Sequence, residues 1–191
     1  MSITIIGIGG ASTKILSSLK QEKQNNKNRY IGFDSDKNIK ALELDDYCMA
    51  NEELFEGSGC FMDIFKGNLA IANSSKKIEE MLSDSQQILV LACLGGGIGS
   101  GALAHITDYL AISRKRYLVL VTTPADFEGL KRAKNAKESL DAIKYRTDNM
   151  LTFSMEDLNS KTDLGIKELF LAMDKKIEKC ILELANGEFF K

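Results

Sequence analysis

Nine residues decide the fold of this chain: Cys93-Leu94-Gly95-Gly96-Gly97-Ile98-Gly99-Ser100-Gly101. They separate an apolar run at residues 88–92 from a helical pattern at residues 102–112. Glycine tolerates a positive φ and leaves the backbone N–H groups uncovered. A strand that ends in such a turn and continues as a helix presents those N–H groups to an anion. The stretch therefore predicts a phosphate-binding loop.

The composition is that of an ordinary globular protein, with 44% hydrophobic and 27% charged residues among 191. This length predicts a single domain over residues 1–191. The formal net charge of −2, with acids and lysines interspersed, predicts no nucleic-acid partner. We expect no membrane span, because no apolar run approaches the ~20 residues that one needs. The first ten residues predict a strand and a turn rather than a signal peptide.

Side chains that carry chemistry are few and scattered. The four cysteines, Cys48, Cys60, Cys93 and Cys180, form no CxxC pair, so we expect reduced thiols in a cytoplasmic protein. The single histidine, His105, falls within a helical pattern with no partners for a catalytic triad. The sequence therefore predicts no catalytic residue and no set of protein metal ligands.

Apolar runs alternate with amphipathic stretches along the chain. We expect strands at residues 3–8, 30–33, 88–92, 117–121 and 149–153, and helices at residues 14–19, 39–44, 69–82, 102–112, 128–145 and 164–185. Asn186-Gly187 is the expected C-cap of the last helix. Residues 21–27 are expected to form a loop, and residues 46–66 an irregular segment. This order predicts an α/β fold with a doubly wound, mostly parallel sheet that ends in a long helix.

Polar or glycine-rich turns follow four expected strands, at residues 9–10, 34–36, 95–101 and 122–128. Ligands of such sheets bind outside the carboxyl ends of the strands, so these turns predict one nucleotide pocket. A Walker A loop is excluded, because Ala102 rather than a lysine follows Gly101. Residues 6–12 taken alone also suit a Rossmann-type NAD(P)-binding turn with Asp34 on the ribose, although Ser12 stands where the third fingerprint glycine is required.

The glycine loop resembles the GGGTGTG signature of the tubulin/FtsZ family, with Ile98 and Ser100 in place of the two threonines. Residues 6–12, which include Gly9, Gly10 and Ala11, are similar to the first glycine loop of FtsZ, IGVGGGG. Phe33-Asp34-Ser35-Asp36 is similar to the family's NTD turn, with Asp34 in place of asparagine. The resemblance implies that these turns bind GTP or GDP, with a magnesium ion between the phosphates and Asp34 and Asp36. A helix-capping turn is the alternative for this last segment.

Residues 121–132 resemble the family segment VVTxPFxFEGxxR, and they contain Thr122, Pro124, Glu128 and Arg132. The resemblance implies that Glu128 contacts the ribose and that Arg132 extends toward the nucleotide. Their i,i+4 spacing predicts a shared helix face. A surface ion pair of little energetic value is the alternative.

Phe170 and Asp174 have the FxxxD spacing of the family's central helix. The resemblance implies that Phe170 stacks on guanine and that Asp174 accepts hydrogen bonds from its N1 and N2 positions. Adenine offers an acceptor at N1 and no amine at position 2, so Asp174 would select guanine. The alternative is structural, since Phe170 also belongs to an apolar stripe with Ile166, Met173, Ile177, Ile181 and Leu184.

The poorest match is Gly59-Cys60-Phe61-Met62-Asp63, which stands where the family has GAGAN in its γ-phosphate-sensing loop. Matching segments run from Ile3 to about Leu184 and correspond to the first half of a family chain. In the family, a neighbouring subunit supplies the acidic residue for hydrolysis. We therefore expect an FtsZ-like guanine-nucleotide-binding protein of the cytoskeleton or of cell division, with weak or no GTPase activity alone. A non-enzymatic cap or modulator of FtsZ-type filaments is the alternative, and self-association is a further expectation.

Overall fold

A computed structural model describes residues 3–22 and 27–186. Its centre is a six-stranded sheet in the order β3-β2-β1-β4-β5-β6, and every pair of neighbouring strands is parallel. The strands are β1 (Thr4–Ile8), β2 (Arg29–Asp34), β3 (Asp46–Met49), β4 (Gln87–Cys93), β5 (Arg116–Thr123) and β6 (Met150–Ser154). The predicted α/β class and parallel sheet are confirmed.

The helices that connect the strands cover both faces of the sheet. They are α1 (Gly10–Glu22), α2 (Glu52–Phe55), α3 (Ile64–Asn73), α4 (Ser75–Leu82), α5 (Gly97–Gly101), α6 (Leu103–Ile112), α7 (Leu130–Ile143), α8 (Met155–Asn159) and α9 (Ile166–Asn186). Two 3-10 turns, Lys37–Ala41 and Asp126–Glu128, follow β2 and β5.

Burial on both faces explains why the inner strands are continuous apolar runs rather than alternating ones. Along β1, Ile6 and Ile8 pack on the face covered by α3, α4 and α6, whereas Ile5 packs on the face covered by α1 and α9. All three side chains are fully buried. The same alternation holds for β4, so one sheet serves two hydrophobic cores.

Three expected segments are wrong. The helix expected at residues 39–44 is a 3-10 turn at Lys37–Ala41, which ends at Leu42. Residues 46–66 are not irregular, because they contain β3, α2 and the start of α3. The single helix expected at residues 69–82 is two helices that meet at Ser74, whose Oγ accepts the backbone N–H of Asn51 at 2.9 Å.

Glycine changes two further expectations. A helix begins at Gly97 rather than at Ala102, so much of the glycine stretch is helical. The helix expected at residues 128–145 is interrupted at Gly129, whose φ of 97° separates the turn ending at Glu128 from α7. Glu128 and Arg132 therefore do not share one continuous helix.

Helix α9 confirms the expected long last helix, but two residues of its expected apolar stripe are exposed. Leu169, Met173, Ile177 and Ile181 are buried, whereas Ile166 is 62% exposed and Phe170 38% exposed. Residues 23–26 of the expected loop, and Gly187 of the expected C-cap, lie outside the described residues, and α1 continues through Gln21 to Glu22.

Candidate nucleotide site

A cavity of about 500 Å³ lies at the carboxyl ends of the strands, where the sequence predicts the site. It crosses the sheet edge from α9 on one face to α5 and residues 58–61 on the other. The predicted residues that line it are Gly9, Gly10, Ala11, Asp34, Asp36, Gly96, Gly97, Ile98, Gly99, Thr122, Pro124, Glu128, Arg132, Phe170 and Asp174. The structure thus brings together turns that are far apart in the sequence.

The first glycine loop is held against the second. Gly9 has a φ of 86°, and its N–H donates to the Phe33 carbonyl oxygen at 2.8 Å. A Cβ at Gly9 would lie 3.0 Å from the Gly99 nitrogen. Ser12 is fully buried, and its Oγ accepts the Cys93 N–H at 2.8 Å. Ser12 therefore fixes the start of α1 to the end of β4.

The second glycine loop divides into an exposed rim and a packed interior. A Cβ on Gly96 would have no neighbour within 4 Å, so this residue opens onto the cavity. Gly95 has a φ of 109° and donates its N–H to the Ser100 Oγ at 2.8 Å. Gly95, Ser100 and Gly101 do not line the cavity; they support the loop from behind. Gly101 contacts α3, where a Cβ would come within 3.0 Å of the Ile64 carbonyl oxygen.

Two helix N-termini face the cavity. Gly10 begins α1, a helix of 13 residues, and Gly97 begins α5. The first N–H groups of a helix have no acceptor within that helix. The N-terminal end of the helix also carries partial positive charge. These two ends are the part of the cavity suited to an anion.

Asp34 brings a buried carboxyl group into the same place. It is 7% exposed, and its Oδ1 accepts the Ser35 N–H at 2.7 Å. Burial raises the pKa of Asp34 to about 6, against the opposing effect of hydrogen bonds from the Ser35 and Asp36 backbone. A carboxyl group with such a pKa changes charge close to neutral pH.

Asp36 caps the 3-10 turn that follows β2, because its Oδ1 accepts the Asn38 N–H at 2.8 Å. The capping interpretation of residues 34–36 is thus correct for Asp36, which also lines the cavity. Next to it, the Ser35 Oγ lies 3.2 Å from the Cys60 Sγ. The segment with the poorest family match therefore closes this end of the cavity, through Ser58, Gly59, Cys60 and Phe61.

Glu128 and Arg132 are neighbours despite the break at Gly129. The Glu128 Oε1 accepts the Ala125 N–H at 3.0 Å, and its Oε2 lies 4.0 Å from the Arg132 Nε. Both side chains line the cavity, and their long contact also fits the alternative of a surface ion pair of little energetic value. Among the described lining residues, Arg132 provides positive charge against the carboxyl groups of Asp34, Asp36, Glu128 and Asp174.

At the α9 end, Phe170 meets Phe127 edge to face, with ring centroids 6.1 Å apart and an interplanar angle of 90°. Asp174 follows one turn later along α9, and burial raises its pKa. Because Leu169 and Met173 occupy the core positions, Phe170 is free to present its ring to the cavity.

Several lining residues were not predicted as site residues. They are Ile15, Ser35, Ser58, Gly59, Cys60, Phe61, Cys93, Leu94, Thr123, Met155, Met173 and Ile177. A sequence signal was available for those that adjoin predicted residues (Ser35, Cys93, Leu94 and Thr123) and for those in the segment compared with GAGAN (Gly59, Cys60 and Phe61). Met155 begins the short helix α8, which no pattern indicated.

Within residues 3–22 and 27–186, no helix is long and apolar enough to span a membrane. The same residues contain no group of three or more His, Cys, Asp or Glu side chains arranged to hold a metal ion.

The chain belongs to the Tubulin/FtsZ family: the model of the family's GTPase domain matches residues 2–163. It is 25% identical to the mitochondrial division protein fszB of Dictyostelium discoideum, over 96% of this chain and 51% of that protein. It is 29% identical to cell division protein FtsZ 1 of Methanocaldococcus jannaschii, over 82% of this chain and 43% of the relative. The chain thus spans about half the length of these curated relatives.

Solved structures of the family share the fold. An empty FtsZ dimer from M. jannaschii superposes with a TM-score of 0.89 at 24% identity, covering 100% of this chain and 57% of that one. A GTPγS-bound protofilament of CetZ2 from Haloferax volcanii gives a TM-score of 0.83 at 23% identity, covering 97% and 58%. The predicted family is confirmed.

Proposed function

We propose that the cavity binds a guanine nucleotide, GDP or GTP. The observation that carries the proposal is the meeting of Phe170 and Asp174 with the N-termini of α1 and α5 in one cavity. The base can stack on the aromatic ring, and the carboxylate can accept hydrogen bonds from the edge of the base. The exposed backbone N–H groups can donate to the phosphates. Membership in a GTPase-domain family supports the same conclusion.

The arrangement assigns a role to each end of the cavity. A purine stacked on Phe170 would gain roughly 1–3 kcal/mol. Asp174 would accept the N1 and N2 hydrogens of guanine, and a hydrogen bond to a charged acceptor adds roughly 1.5–3 kcal/mol. Glu128 would accept a ribose hydroxyl, while Arg132 and the rim of the glycine loop would meet the phosphates.

Magnesium fits this site only together with the nucleotide. Asp34 and Asp36 supply two carboxyl groups, fewer than a protein-only site needs, and Mg²⁺ usually takes one or two carboxylates together with phosphate oxygens. When bound there, the ion would offset the negative charge that Asp34 and Asp36 place near the phosphates.

We expect slow hydrolysis of GTP by these 191 residues alone. Asp36 caps a turn, Glu128 pairs with Arg132, and Asp174 lies at the base end. Asp34 is held by the Ser35 N–H. A fast turnover of GTP that disappears in Asp34→Asn would contradict this expectation and would make Asp34 a general base.

A role in division or in the cytoskeleton, in the cytoplasm, is proposed from the relatives that carry division in their names. The unpaired thiols of all four cysteines accord with that compartment. Phe61, which lines the cavity, is 73% exposed. Phe65 and Leu130 are 74% and 90% exposed, and these apolar side chains support association with FtsZ-type subunits. Titration of the chain into an assembling FtsZ, followed by light scattering, tests this role; unchanged assembly at high ratio contradicts it.

Calorimetric titration of GDP, GTP and ATP into the nucleotide-stripped chain, with magnesium, tests the main proposal. We expect micromolar binding of GDP and GTP, no binding of ATP, and loss of binding in Asp174→Ala. Glu178→Ala is the matched control: burial also raises the pKa of Glu178, one turn further along α9, but this residue lies outside the cavity. Binding of ATP at equal affinity, or loss in the control as well, contradicts the proposal.

A further inference from the structure

Asn135 on α7 joins two loops that are far apart in the sequence. Its Nδ2 donates to the Met62 carbonyl oxygen at 2.9 Å and to the Gly95 carbonyl oxygen at 3.1 Å. The side chain is 6% exposed. A side-chain amide nitrogen has two hydrogens and no acceptor capacity, so two carbonyl partners fix its orientation. One buried side chain thus connects the glycine loop to the segment at residues 57–62.

That segment has an unusual backbone. Gly57 and Gly59 have φ of 72° and 78°, but Phe61 and Met62 also have positive φ, 47° and 59°. A side chain disfavours this region because its Cβ approaches the following carbonyl oxygen. The exposed ring of Phe61 gains little from burial here. The hydrogen bond from Asn135 to Met62 acts directly on this strained backbone.

The segment lies at the opposite end of the cavity from Phe170. Helix α9 covers one face of the sheet, whereas Cys60 and Ile98 pack in the core of the other face. A nucleotide whose base stacks on Phe170 therefore extends its phosphates toward Gly96 and residues 58–61. A third phosphate extends further in that direction than a second one.

We propose that Asn135 is a positioning residue, which holds residues 57–62 in place for the terminal phosphate of a nucleoside triphosphate. The proposal rests on the proposed function, since it concerns the same cavity. We call the two hydrogen bonds from Asn135 to Met62 and Gly95 the clamp. Loss of Asn135 should weaken the binding of GTP more than that of GDP, because the base and ribose contacts do not involve the clamp.

The test compares three variants for affinity toward GTPγS and GDP. Asn135→Leu removes both hydrogen bonds while keeping a side chain of similar volume. It should weaken the binding of GTPγS about tenfold, as expected for lost buried hydrogen bonds, and change the binding of GDP much less. Adding Phe61→Gly to Asn135→Leu should restore most of that loss, because glycine adopts the left-handed backbone without strain. Ser139→Ala is the control on α7: Ser139 is 5% exposed, and its hydroxyl has no hydrogen-bond partner among the described residues.

Hydrogen exchange of the nucleotide-free variants tests the clamp independently of binding. Asn135→Leu should raise exchange at residues 57–63 and 94–96 but not along α9, and Ser139→Ala should raise neither. Equal losses of GTPγS and GDP affinity, or unchanged exchange in both loops, overturn the proposal. A parent chain that binds no nucleotide contradicts the proposed function instead, and the exchange result still decides whether the clamp exists.

Discussion

The carboxyl group of Asp34 is buried in the candidate nucleotide cavity, and burial raises its pKa from 3.8 to about 6. The folded chain then binds this proton more tightly than the unfolded chain does. The protonated Asp34 carboxyl group therefore makes its full contribution to the free energy of unfolding below about pH 4, and this contribution is lost as the pH rises through about 6. The shift corresponds to a cost of up to about 3 kcal/mol above that range.

Asp34→Asn should remove this cost, because an amide carries no charge and its oxygen still accepts the Ser35 N–H. The variant should match the parent in free energy of unfolding near pH 4 and exceed it by up to about 3 kcal/mol at pH 7.5. Urea unfolding at a series of pH values measures the difference. An exposed carboxylate, Asp84, provides the control Asp84→Asn, and a constant difference between Asp34→Asn and the parent across this pH range would contradict this prediction.

The substitution Phe61→Gly should stabilise the folded chain. Its φ of 47° costs a side chain about 1 kcal/mol or more, and the exposed ring loses little packing when it is removed. After the greater chain entropy of glycine is subtracted, Phe61→Gly should raise the free energy of unfolding by about 0.5 kcal/mol. Phe65→Gly, at a residue equally exposed but within α3, should lower it, and denaturant unfolding compares the two.

Helix α5 packs closely against α3 because glycines at the contact carry no side chains. A Cβ at Gly101 would come within 3.0 Å of the Ile64 carbonyl oxygen, and one at Gly67 within 3.0 Å of the Gly97 carbonyl oxygen. These contacts bring α3 and α5 together backbone to backbone. The glycine loop thus serves packing at some positions and ligand access at others.

Gly101→Ala and Gly96→Ala separate these two uses of glycine. Gly101→Ala should lower the free energy of unfolding by about 1–3 kcal/mol or more, as overpacking does. Gly96→Ala should leave stability within about 1 kcal/mol, because its Cβ meets no neighbour, yet weaken nucleotide binding at the cavity rim. Thermal unfolding and GDP titration on both variants check this, and equal stability losses would contradict it.

The large elements were predictable from the sequence because their signals are strong. Buried strands such as β1 and β4 are uninterrupted apolar runs, and α9 has clear helical periodicity. Strand β3 has no such signal: its four residues, beginning at Asp46, form a strand because β2 offers them an edge. The sequence did not predict the start of α5 at Gly97, because glycine has low helix propensity. Close packing against α3 overrides that preference.

The site was predictable where a motif carries it and not elsewhere. The turns containing Asp34 and Glu128 were found because each follows a strand in a pattern that resembles the family. Cys60 was not chosen because its segment matches the family's GAGAN poorly, and Met155 was missed because the chain brings it to the cavity from a segment without a motif. Asn135 was missed for the same reason, since its two hydrogen bonds depend on loops 40 and 73 residues away in sequence.

At the scale of the whole molecule, one parallel sheet with two cores aligns the carboxyl ends of its strands along a single edge. Glycine loops, carboxyl groups and an aromatic ring from separate segments meet there only because the sheet is complete. The arrangement places Phe170 and Asp174, for which we propose base selection, on α9, and the helix ends proposed to bind the phosphates at the starts of α1 and α5. We therefore expect nucleotide specificity and phosphate binding to be separable by substitution.

The most direct test of guanine recognition is calorimetric titration of GDP, IDP and ADP into the nucleotide-stripped chain and into Asp174→Ala. IDP keeps the N1 hydrogen of GDP but lacks the 2-amino group, so it removes one of the two hydrogen bonds expected at Asp174. We predict that the parent chain binds GDP more tightly than IDP, and IDP more tightly than ADP, and that in Asp174→Ala the binding of GDP and IDP falls to the level of ADP. Equal affinities of the parent chain for GDP and ADP would contradict it.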